Sequence, residues 1–122
     1  MLQRSLSANA LFSAVSGLVM LLYSPWLQTH LAAPGWFWIT GGVGLLGFSA
    51  MLVVMARQPM LARQLTPMVV AADTGWVLST FVALVVFLPE VTATGASLVG
   101  AVNVVVALLA GAQLAGYRAA TA

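Results

Sequence analysis

Residues 66–88, TPMVVAADTGWVLSTFVALVVFL, form an apolar run interrupted by a carboxylate at Asp73 and an indole at Trp76. At about 1.5 Å of rise per residue, a helix over this stretch reaches roughly 34 Å, enough to cross a hydrocarbon core of about 30 Å with some tilt. Read as a membrane span, it carries Asp73 well below the surface. A carboxylate there costs roughly 2.5–3.5 kcal/mol near a helix centre, so its expected place is against other helices or a wet cavity.

The rest of the chain supplies such helices. Of its 122 residues 62% are hydrophobic and only 5% are charged, against about 25% charged in an ordinary soluble domain. With a mean hydropathy of +1.08, lipid is the expected solvent for most of the surface, and the whole chain, 1–122, reads as one integral membrane domain. The formal charge of +2 comes from Arg4, Arg57, Arg63 and Arg118 against Asp73 and Glu90. These charges are dispersed, and a nucleic-acid partner would need a clustered basic patch. The absence of cysteine excludes thiolate metal sites, disulfide exchange and Cys nucleophiles. The single histidine, His30, argues against a bis-histidine haem within one chain. No cofactor is expected.

Three further spans flank residues 66–88, at about 6–23, 36–56 and 95–117. The first follows a short head with Arg4, and its length and the poor cleavage sequence Ser24-Pro25-Trp26 distinguish it from a secretory signal. Asn9, Ser13, Ser16 and Gly17 share one face of it, suited to close approach of a neighbouring helix or to a polar lining. In the second span Gly41, Gly44 and Gly47, followed by Ala50, form an expected packing groove. A phosphate loop is excluded there by depth and by the lack of a preceding strand and following lysine. In the last span Gly100, Ala107 and Gly111 give small-residue spacing for helix packing, with Asn103 on the same stripe.

The connections set the sidedness. Residues 24–35 read as a short interfacial segment in which Tyr23, Trp26, Trp36 and Trp38 form an aromatic belt and His30 lies among headgroups. Residues 57–65 read as a turn carrying two of the four arginines. Arg4 and Arg118 fall on the same side if the chain crosses four times, so both termini are expected in the cytoplasm. The tail, 119–122, has too few residues to fold. No internal repeat is convincing, since the glycines of the second span have no counterparts at matching positions.

Laying four antiparallel spans side by side brings Asn9 and Gln113 to within about 5 Å of axial offset from Asp73, as its natural hydrogen-bond partners. Asn103 lies beyond the midplane. Trp76, three residues on from Asp73, is placed to cover the carboxylate, and its indole N–H seeks an acceptor. Two roles are open for Asp73. It is either a protonatable site or cation ligand in a transport path, or a hydrogen-bonded group that fixes helix packing. No Ser/His/Asp set meets at one depth and no metal-ligand spacing occurs, so no enzyme is expected.

The four spans, the arginine-bearing middle connection and the stretch Ala71-Ala72-Asp73-Thr74-Gly75-Trp76-Val77-Leu78 resemble short, uncharacterised four-transmembrane-helix inner-membrane proteins of bacteria. The resemblance covers most of the chain and implies an inner-membrane location with no established activity. Small multidrug-resistance transporters are similar in size and span number. Their essential glutamate lies in the first span, where this chain has Asn9 and serines, so their site is not carried across. Small fluoride channels are similar in length only. The chain is therefore expected to form an all-α, antiparallel four-helix bundle in the lipid bilayer. Its expected role is that of an accessory or self-associating protein binding another copy or a larger membrane partner. The alternative is a proton- or cation-coupled carrier or channel, working through Asp73 as a homo-oligomer.

Overall fold

A computed structural model describes residues 2–31 and 33–121, and these are almost wholly helical. Five helices follow in order: α1 (Leu2–Leu22), α2 (Ser24–His30), α3 (Gly35–Arg57), α4 (Pro59–Val86) and α5 (Ala93–Thr121), with a 3-10 turn at Leu88–Glu90 before the last. All but α2 are long and apolar enough to cross a membrane. Ala32, inside the expected interfacial segment, and Ala122, at the end of the expected tail, lie outside the described residues.

Two expectations about the connections are corrected. Residues 57–65 do not form a turn, because Gln58 alone separates α3 from α4. Pro59 starts α4 at a position where its fixed φ suits a helix and its missing N–H goes unused. Pro67, inside α4, cannot donate to the carbonyl four residues earlier. That carbonyl belongs to Arg63, an exposed residue near the helix start, where outside groups can satisfy it. The tail does not stand apart either. It extends α5 to Thr121, whose hydroxyl donates to the Tyr117 carbonyl at 2.8 Å, since continuing an existing helix avoids a new nucleation cost.

The helices group in two pairs. α1 packs most extensively on α3 and α4 on α5, while α1 and α5 join the pairs. At one end Leu2, Leu6 and Ala10 of α1 meet Leu52 and Met55 of α3 and Ala62 and Val69 of α4, with Tyr117 and Ala120 of α5 against them. Arg4, Arg57, Arg63 and Arg118 are all exposed. At the other end a smaller core of Met20, Leu27, Leu31 and Trp38 carries Leu45, Val91, Leu98 and Val99. Contact between α1 and α4 is slight.

In lipid no hydrophobic force drives helix to helix, so close backbone approach and interhelical hydrogen bonds decide which faces meet. Gly17 lies on the face expected for close approach, whereas its partner Gly42 stands outside the expected groove of Gly41, Gly44 and Gly47. A Cβ on Gly42 would lie 2.9 Å from the Gly17 carbonyl oxygen, and a Cβ on Gly17 would lie 2.9 Å from that of Gly42. Two backbones touch there. Gly41 faces the flexible tip of Met20, but Gly44, Gly47, Gly100 and Gly111 have open space where a side chain would stand. Ala107 is exposed. Helical geometry gives the reason. At 3.6 residues per turn Gly47 and Gly44 lie about 140° and 160° around α3 from Gly42, so the face holding buried Gly42 and Ser49 is a different one. Within the chain, Gly95 and Gly116 hold the other close approaches, to His30 and to Leu2.

The expected aromatic belt loses one member. Tyr23, Trp26 and Trp36 are exposed, whereas Trp38 is buried and its indole donates to the Ala33 carbonyl at 3.2 Å. His30 stacks near Trp26, with ring centroids 4.2 Å apart, and its Nδ1 lies 2.8 Å from Thr92 Oγ1. Thr92 also caps α5 by accepting from the Gly95 N–H at 3.0 Å. Thr92→Val is expected to cost about 1 kcal/mol, and hydrogen exchange at the Gly95 amide is expected to quicken. An unchanged exchange rate would mean that the cap contributes nothing.

Candidate functional site

Three helices deliver one amide or carboxyl side chain each to a common point. Asn9 of α1 donates through Nδ2 to Asp73 Oδ2 at 2.9 Å, and Gln113 of α5 donates through Nε2 to the same oxygen at 3.0 Å. The second N–H of Asn9 reaches Gln113 Oε1 at 3.0 Å, which closes a ring linking α1, α4 and α5. Ser13, one turn along α1, donates to Asn9 Oδ1 at 3.1 Å and holds that carboxamide in orientation. α3 joins by a different bond, from Ser49 Oγ to the Ala10 carbonyl at 2.7 Å. α1 is thus bonded to all three other long helices.

All members are withdrawn from the surface. Gln113 is fully buried, Asn9 is 3% exposed and Asp73 7% exposed. Burial without partners would cost each group about 1–3 kcal/mol, so the ring is the condition for having these residues there at all. Among the described residues no sealed side-chain nitrogen or oxygen lacks a partner. Asp73 Oδ2 takes both amide bonds and Oδ1 takes none. Oδ1 is therefore not sealed, and Asp73 forms part of the wall of a cleft of about 190 Å³ between the helix pairs.

No family model, curated protein or solved structure matches this chain. The geometry alone has to carry the functional reading.

Trp76 lines the same cleft and its ring forms a wall there, while the hydrogen bonds to Asp73 come from Asn9 and Gln113. Asn103 stays apart from Asp73. It accepts from Thr80 Oγ1 at 2.9 Å, a second polar link between α4 and α5. This pair was not anticipated, although Thr80 follows Asp73 by seven residues, two helical turns, and therefore shares its face. Ser16 was anticipated as either a packing or a lining residue, and it lines two adjoining clefts, the second of about 310 Å³ and almost wholly apolar. Among the described residues no group of His, Cys, Asp and Glu side chains is arranged to hold a metal ion.

Proposed function

We propose that this chain is a multi-pass protein of a bacterial inner membrane, an antiparallel four-span bundle with both termini in the cytoplasm, that acts by associating with a second copy of itself. The observation that carries this reading is the open space over Gly44 and Gly47. These residues and exposed Thr40 make a small-residue face on α3 that no other helix of the chain covers. Small residues raise little packing energy against lipid tails but permit backbone contact with another helix. The sidedness is supported by the four arginines, which share one end of the helix bundle with Leu2 and Tyr117. For Asp73 this reading assigns a holding role, favoured over a transport path by its 7% exposure and its two amide bonds.

Because the chain has no cysteine, a single introduced one reports contact cleanly. Gly44→Cys is expected to form a disulfide-linked dimer on mild oxidation in liposomes, and Leu108→Cys, on an exposed face of α5, is expected to stay monomeric. Gly44→Leu with Gly47→Leu is expected to abolish energy transfer between labelled copies while leaving the unfolding temperature within about 2 °C. Energy transfer that vanishes on dilution for wild type and variant alike would refute self-association.

A further inference from the structure

The geometry points to the cleft between the two helix pairs as a binding site for a lipophilic amine, a monocation whose ammonium group meets Asp73 Oδ1 and whose apolar body fills the space beyond. This inference is independent of self-association.

Its first support is the carboxylate itself. Asp73 is more than nine-tenths buried, yet one of its oxygens is without a hydrogen bond and unsealed. The ring of amides accounts for Oδ2 and leaves Oδ1, which is not sealed, as the acceptor at the cleft wall. The second support is the absence of any counter-charge. Neither cleft is lined by an arginine or by His30, and all four arginines are exposed. A cation is the complement that such a carboxylate lacks, and in a poorly solvated site that attraction is stronger than in water. Trp76 adds an aromatic wall, which attracts an ammonium group over its face.

The third support is the shape. Ser16, Leu45, Trp76 and Val102 line both clefts, so the cleft at Asp73, itself mostly apolar, continues into a second apolar one of about 310 Å³. That volume falls within the range of small-molecule sites, which are mainly apolar with a few convergent polar groups. One carboxyl group at one end of an otherwise apolar space matches the single charge and apolar body of an alkyl or aralkyl amine. A phospholipid amine does not fit the same space. Asp73 lies seven residues into the apolar run 66–88, about 10 Å from its start, below the level of headgroups.

The test uses the full chain in phosphatidylcholine nanodiscs, with 4-phenylbutylamine as probe and 4-phenylbutan-1-ol as its uncharged counterpart. Equilibrium dialysis against empty nanodiscs is expected to show saturable binding of one amine per chain, at least tenfold tighter than the alcohol. Asp73→Asn keeps an oxygen for the two amides and removes the charge, and is expected to weaken the amine at least tenfold while leaving the alcohol unchanged. Val102→Trp narrows the shared wall and is expected to weaken both. Equal affinity for amine and alcohol in the wild-type protein, or no saturable amine binding, would overturn the inference without recourse to any variant. Unaltered amine affinity in a folded Asp73→Asn protein would overturn it too.

Discussion

Gly42→Val is expected to separate α1 from α3 and to cost about 3 kcal/mol, the upper part of the usual range for overpacking. The Cβ alone would lie 2.9 Å from the Gly17 carbonyl oxygen and 2.7 Å from Leu21 Cγ. The leucine side chain has other rotamers. The carbonyl belongs to helical backbone and moves only if α1 moves as a whole, which would pull Asn9 and Ser13 away from α4 and α5. The check is equilibrium unfolding in mixed micelles, with Gly44→Val as the comparison. A Cβ at position 44 meets nothing within 4 Å, so that variant is expected to unfold like the wild-type chain. Equal losses at the two positions would refute the assigned crossing.

Gln113→Leu is the second large effect. Leucine fits the fully buried position in size, but it removes a donor to Asp73 and an acceptor from Asn9 in one step. Interhelical hydrogen bonds in membranes have measured worths of about 0.6 kcal/mol on average and up to about 1.7, and an unpaired buried group costs about 1–3. A loss of about 2–3 kcal/mol is therefore expected. Asp73→Asn is expected to be at least as stable as the wild type, because the carboxamide oxygen takes the place of Oδ2 in the ring. Asp73→Leu is expected to resemble Gln113→Leu, and the two leucines together to cost less than the sum of the single changes, since all members share one network. An Asp73→Asn protein as unstable as Asp73→Leu would show that charge, rather than the hydrogen-bonded ring, holds α4 in place.

The two changes probe different depths of what could be read beforehand. Axial position along a span follows from counting residues, so the nearness of Asn9 and Gln113 to Asp73 was derivable once four crossings were assumed. The Thr80 and Asn103 pair is equally open to such counting, but neither residue is costly enough to demand a partner. The buried place of Trp38 was not derivable from the preference of indoles for interfaces. It depends on packing against Met20, Leu27 and Leu31 from earlier in the chain, with the Ala33 carbonyl accepting from the ring N–H.

Hydropathy and charge are sums over neighbouring residues, and they decided, from the sequence by itself, that the chain makes four long apolar helices with arginines gathered at one end and a carboxylate among apolar neighbours. Which side of each helix is covered depends on its rotation about its own axis, and rotation is set by all contacts at once. The tertiary structure therefore decided that Gly42 and Gly17 touch while Gly44 and Gly47 stay open. It also decided that Trp76 lines a cleft while Asn9 and Gln113 bond the carboxylate, and that one oxygen of Asp73 is held by amides while the other is free. A step of one residue turns a helix by about 100°, so glycines adjacent in sequence can face opposite surroundings.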